Sequence, residues 1–115
     1  MSRRAAQARI GIGEGMEFIK QKKWDEALAA LRAAVEIDPE MSTAWCAIGV
    51  AEIMKNGGRP CEAAHDPFKR CVELDPNHVG AHCGLGGVLL RVRNDAVRAE
   101  EHIRAALRLL SLIHI

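Results

Sequence analysis

The sequence is short of the residues that many chemistries need. It has no tyrosine, two tryptophans, two phenylalanines and a single threonine, Thr43. A single-stranded nucleic-acid platform interleaves basic with aromatic side chains. Here Arg3, Arg4, Arg9, Lys20, Lys22 and Lys23 gather near the N-terminus with almost no aromatic among them. A formal net charge of +1 exerts no global pull toward nucleic acid or anionic lipid. Long apolar runs are also missing. Val88-Leu89-Leu90 stops at Arg91, far short of the ~20 residues of a membrane helix. The four cysteines follow no short, regular spacing, so no disulfide framework is expected and a reducing, cytoplasmic compartment is. No nucleophile stands beside a base. Ser2, Ser42 and Ser111 fall near chain or helix ends, and Glu26, Glu36, Glu62 and Glu73 fall on solvated helix faces. Neither catalysis nor a cofactor is expected.

What is present is alanine, leucine, glutamate, lysine and arginine, all strong helix formers. In 115 residues they suffice for one domain. Internal repetition organises them. "WDEALAALRAAVEIDPE" from Trp24 aligns with "CEAAHDPFKRCVELDPN" from Cys61 at a shift of 37. Ala27 then matches Ala64, Leu31 matches Phe68, Ala34 matches Cys71 and Pro39 matches Pro76. A further shift of 35 takes Ala64 to Ala99, Phe68 to Ile103 and Cys71 to Ala106. Upstream, Gly15, Gly49 and Gly86 recur at shifts of 34 and 37. In the second unit Ser42 or Thr43 can cap a helix carrying Trp45, Ile48, Gly49 and Ile53 on one stripe. Asn56-Gly57-Gly58 ends that helix, and Asp75-Pro76 ends the next.

Two short helices per unit, with an aromatic, a large aliphatic, a small residue, then Ala, a bulky apolar residue and Pro, resemble the tetratricopeptide repeat. The second unit supplies Trp45, Ile48, Gly49, Ala64, Phe68 and Pro76, but has Glu52 at a usually bulky place. The first supplies Gly15, Phe18, Ala27, Leu31 and Pro39, with Gly11 and Glu14 at the aromatic and aliphatic places. The third supplies His82, Leu85, Gly86, Leu89, Ala99 and Ile103, with no Pro. The resemblance implies an all-α fold, an α-solenoid of three antiparallel helix pairs with right-handed superhelical stacking. It divides residues 1–110 into repeats at about 8–41, 42–78 and 79–110, leaving a non-native-looking tail at 111–115. The missing Asp-Pro and the final Ser-Leu-Ile-His-Ile lead us to expect an N-terminal fragment of a longer protein. The last helix is expected to expose Ile103, Ala106, Leu107 and Leu110 and to support self-association.

The same resemblance disposes of a phosphate-loop reading of Gly11, Gly13 and Gly15. Gly15 falls where paired helices touch, and no strand precedes it. Gly11 and Gly13 have no account in the sequence. Cys61 with His65 and His78 with His82 are pairs four apart, but the helix layout places them at opposite ends of neighbouring helices, so no zinc site is expected from them. Pro67 is expected to kink the back helix of the second unit or to restart it behind an Asp66 cap, leaving residues 56–66 the loosest internal segment.

What is left is a surface. In the resembling family, the front helices line a concave groove that holds a peptide or partner helix. Carried onto this sequence, the lining is Arg9, Ile12, Met16 and Ile19, then Thr43, Cys46, Ala47, Val50 and Ile53, then Gly80, Cys83, Gly84, Gly87 and Leu90. Gly80, Gly84 and Gly87 would bare a backbone stripe. Family members that clamp acidic chaperone tails use Lys, Asn and Arg on these faces. Here those places hold Ile12, Met16, Ala47, Gly80 and Gly84, so a carboxylate clamp is not expected. The expected function is a non-catalytic protein-binding module taking an apolar helix or extended peptide. The alternative is a structural end segment of a longer solenoid in a multiprotein assembly such as an RNA-decay scaffold, whose repeats "TAWCAIGVAE" resembles. No direct contact with nucleic acid or membrane is expected.

Overall fold

Six α-helices follow one another along residues 2–113, the residues that the computed structural model describes. They are α1 (Arg3–Lys20), α2 (Trp24–Ile37), α3 (Ser42–Lys55), α4 (His65–Leu74), α5 (Val79–Arg91) and α6 (Ala96–Ile113), with a 3-10 turn at Glu62–Ala64 before α4. The fold is the expected all-α solenoid. Each helix packs on the next in sequence, and the front helices α1, α3 and α5 also touch their successors. The molecule measures 39 × 32 × 23 Å. α6 continues through Ser111 and on to Ile113, while His114 and Ile115 lie outside the described residues.

Helix ends follow local chemistry, with some differences from the sequence reading. Ser2 Oγ accepts the Ala5 N–H at 3.1 Å and caps α1. The cap of α3 is Met41 rather than Ser42 or Thr43, and it makes no side-chain bond. Ser42 is instead the first helical residue. Asn56 closes α3, and Gly57 and Gly58 follow at φ +74° and +82°, the left-handed region glycine enters at no steric cost. Pro67 does not kink a long helix. It is the third residue of a ten-residue helix, where a backbone N–H would have no partner inside the helix. The restart expected at Pro67 thus begins at His65. Asp66 is not its cap, because its carboxylate meets His65 Nδ1 at 2.9 Å.

The core is built on small residues that admit large ones. A Cβ on Gly15 would stand 2.6 Å from Leu31, one on Gly49 2.7 Å from Phe68, and one on Gly86 3.0 Å from Ile103. The three repeat glycines therefore sit where back helices press on front helices. Gly11 is explained the same way, since its Cβ would meet that of Ala34 at 3.2 Å, whereas Gly13 has open space around it. Phe68, 2% exposed, does more than its counterparts. Its ring reaches Gly84 of the next unit as well as Gly49 of its own, with a Cβ on Gly84 falling 2.6 Å away. Gly84 is thus a packing residue of the unit boundary, not part of a bare stripe. Polar contacts tie the first two units: Glu52, at the usually bulky place, faces Arg32 at 3.7 Å, and Lys55 reaches Asp25 at 2.7 Å.

Gly84→Ala should destabilise the domain by about 1–3 kcal/mol, because a fully enclosed aromatic ring has nowhere to move. Gly13→Ala should be neutral or stabilising by up to ~1 kcal/mol. Urea denaturation of the two variants checks the contrast, and an equal response would contradict the packing described.

Candidate functional site

Two concavities stand out, and their linings differ in kind. One, of about 300 Å³, lies beside α4, α5 and α6 and is ringed by His65, Lys69, Glu73, Arg93, Arg98 and His102 around Val72, Leu85 and Leu89. Arg93 closes its rim through an ion pair with Glu62. The other, of about 290 Å³, opens between α1 and α3. Its lining is Ile12, Met16, Ile19, Thr43, Cys46, Ala47, Val50 and His78.

The second cavity gathers seven residues that the sequence reading placed in the groove. Ile12, Met16 and Ile19 recur at four and three along α1, and Thr43, Cys46, Ala47 and Val50 do so along α3, so each set shares a helix face. Met16 and Val50 keep 47% and 39% of their surface exposed, which leaves apolar area open to a ligand. Other expected lining residues stand elsewhere. Arg9 is exposed on α1, Ile53 packs against the core formed by α4, α5 and α6, and Cys83 is exposed on α5. Gly84 meets Phe68, and a Cβ on Gly87 would lie 3.6 Å from Pro60. Gly80 faces the His78 ring, and Leu90 is exposed on α5.

Sequence reasoning missed His78 as a member of this face. His78 is the N-cap of α5, and its Nδ1 accepts the Ala81 N–H at 3.1 Å. A signal was available, since His is the one polar side chain in the short link between Pro76 and α5 long enough to reach back. At the cavity wall the Cys46 and Cys71 sulfurs lie within 4.8 Å of each other. That contact holds Cys46 below the ordinary thiol range, while the same contact and then burial push Cys71 up.

Known proteins can now be set beside this geometry. The family model described as TPR repeat matches residues 15–52. Residues 15–52 thus carry a tetratricopeptide repeat, and the six helices together have the fold of tetratricopeptide-repeat structures. MamA 41-end from Desulfovibrio magneticus RS-1 superposes with a TM-score of 0.72 at 27% identity, over 88% of this chain and 55% of that one. This repeat chain thus spans about half the length of the MamA chains it matches. The second TPR of Spaghetti (RPAP3), bound to the HSP90 peptide SRMEEVD, superposes at 0.81 with 18% identity, over 91% and 94% of the two chains. A mutant O-GlcNAc transferase of Thermobaculum terrenum does so at 0.79 with 23% identity, over 95% of this chain and 20% of that one. Comparison with curated proteins gives no match. No helix among the described residues is long and apolar enough to cross a membrane.

His102, which lines the charged concavity, meets the buried His82 of α5. His82 Nε2 lies 2.7 Å from the Pro76 carbonyl, which only accepts, so Nε2 carries the proton. Neutral His82 then presents an Nδ1 lone pair to His102 Nδ1 at 3.0 Å, and His102 donates. One added proton can be shared across this contact, whereas two would set N–H against N–H. His82 is buried, and His102 is held below the ordinary histidine value, first by burial and then by His82 and His65, with Glu101 opposing. A group harder to protonate when folded favours the unfolded chain as pH falls. Stability is therefore full above about pH 6.5, the unfolded value, and declines below it. Thermal melts at pH 7.5 and about pH 5 should differ for the native protein and differ less for His102→Gln. An unchanged pH response in His102→Gln would refute the assignment.

Proposed function

We propose that the protein is a non-catalytic interaction module whose α1–α3 cavity binds an apolar helix or extended peptide. One observation carries this reading: a concavity of about 290 Å³ lined by Ile12, Met16, Ile19, Ala47 and Val50, with Thr43, Cys46 and His78 as its only polar-capable members. Burying apolar area at roughly 25 cal/mol per Å² is the interaction such a lining offers. Its lining holds no Lys, Arg or Asn, which supports an apolar ligand over an acidic tail. Superposable repeats of Spaghetti bind SRMEEVD, and this chain is the useful contrast. The four free thiols support a reducing, cytoplasmic setting, and the near-neutral charge supports neither nucleic acid nor membrane as a direct partner.

Peptides selected from a random library against the purified protein should be apolar and bind in the micromolar range. Met16→Glu and Val50→Arg should each weaken them at least ~10-fold, and SRMEEVD should show no saturable binding. Selection of acid-ended peptides, or binding indifferent to both substitutions, would count against the reading.

A second reading, that of an end segment of a longer solenoid in a multiprotein assembly such as an RNA-decay scaffold, is favoured by α6. Leu107 is 61% exposed and Ile103 and Leu110 39% each, and their spacing of four and three forms an apolar face. Ala106, counted on that face from sequence, is instead buried at 2%. We infer that this face mediates self-association when nothing covers it. Sedimentation velocity should find concentration-dependent oligomers, and Leu107→Lys with Leu110→Glu should yield monomers. A native chain that stays monomeric at high concentration would remove this support.

A further inference from the structure

Cys46 stands mid-way along α3, Cys71 within α4, and His78 caps α5. Their ligand atoms, two sulfurs and a ring nitrogen, lie within 4.8 Å of one another. Among the described residues they are the one group of three His, Cys, Asp or Glu side chains so close. A zinc ion with Zn–S of ~2.3 Å and Zn–N of ~2.0 Å spaces its ligand atoms by roughly 3.5–3.8 Å. Closing by up to about 1.3 Å, from 4.8 Å to about 3.5 Å, brings the three to a common centre.

The repeat does not itself require these residues. The first unit holds Ile12, Ala34 and Met41 at the matching places, and Met41 caps α3 as His78 caps α5. The third holds Cys83 and Ala106 where the middle unit has its two thiols. Apolar side chains thus satisfy the scaffold at all three places, and only the middle unit combines two thiols with an imidazole. Cys71 is fully buried, and Cys46 and His78 are half-buried, so the cluster faces inward from the cavity wall. Two thiolates neutralise a divalent cation, which suits an apolar surrounding.

We propose that Cys46, Cys71 and His78 bind one thiophilic d10 cation of the zinc class, with the fourth coordination position open to the α1–α3 cavity. Two thiol protons leave to solvent on binding. Ligation also uses the imidazole. Coordination through Nδ1 takes the lone pair that now accepts from Ala81, and coordination through Nε2 moves the ring proton to Nδ1. Either route releases the Ala81 N–H, so the ion exchanges a helix cap for a metal bond. Its fourth ligand is water or a donor atom brought into the cavity. This inference stands on the cluster itself and holds whether or not the cavity binds peptide.

Asparagine separates the two roles of residue 78, since it caps helices well but replaces no imidazole. The reduced, metal-free chain is titrated with Co2+ and then Zn2+. A thiolate-to-cobalt charge-transfer band should saturate at one ion per chain and be bleached by Zn2+. Cys46→Ser and His78→Asn should each weaken binding by more than the ~100-fold typical of lost supporting contacts, while Cys61→Ser and Cys83→Ser leave it unchanged. Zn2+ should raise the melting temperature of the native chain and not that of His78→Asn. Circular dichroism without metal verifies that each variant is folded, and Cys46→Ser carries the test alone if His78→Asn is not. Absence of the band in the native chain, or a band that survives in both ligand variants, would overturn the proposal.

Discussion

The structure depends on one ring lodged between two glycines. Phe68 projects from α4 into a gap that Gly49 of α3 and Gly84 of α5 leave by having no side chain. Helix pairs elsewhere in the protein are joined by the same device at smaller scale, Leu31 against Gly15 and Ile103 against Gly86. Of these three side chains only Phe68 meets glycines of two repeats. It therefore sets both the closeness of α3 to α4 and the angle at which the third unit leaves the second. Close packing makes that angle a discrete property of the ring's size, not a continuously adjustable one.

A second repeated contact fixes the same junctions from the polar side. Trp45 Nε1 donates to the Pro39 carbonyl at 2.8 Å, and His82 Nε2 meets the Pro76 carbonyl at 2.7 Å. Each bond satisfies a carbonyl at a turn where no helix partner exists. Trp45 and His82 occupy the same place in successive repeats, and so do the two prolines. Histidine keeps the bond and adds a second nitrogen, through which α5 communicates with His102 of α6. Gly11, at the same place in the first unit, has no ring to offer. There Arg4 reaches the end of α2 instead, with Nε and Nη2 at 3.1 and 2.7 Å from the Ile37 carbonyl.

Much of the fold is legible in the sequence because a repeat states each rule three times. Gly15, Gly49 and Gly86 reveal their role by recurrence. The family resemblance, carried onto the helical spacing, puts Ile12, Met16, Thr43, Cys46, Ala47 and Val50 on the groove side. Features that occur once are less legible. Gly84 reads as part of a stripe with Gly80 and Gly87, since nothing local tells that Phe68, sixteen residues earlier, occupies the space beside it. Nearest-neighbour spacing also misleads for histidine: His78 and His82 share a helix end but face different elements. Cys46, Cys71 and His78 come from three elements, and only folding makes them neighbours.

The strictly sequential helix packing has a kinetic consequence. Every substantial interface joins elements close in the chain, so little loop-closure entropy must be lost before contacts form, and folding should be fast. Among the described residues, α1 and α6 each have helix neighbours on one side only. Opening then proceeds from the ends inward, with α3, α4 and α5 as the last part to exchange its amides. A ligand seated between α1 and α3 would act as a clasp on that fraying end, coupling occupancy to the lifetime of the whole array.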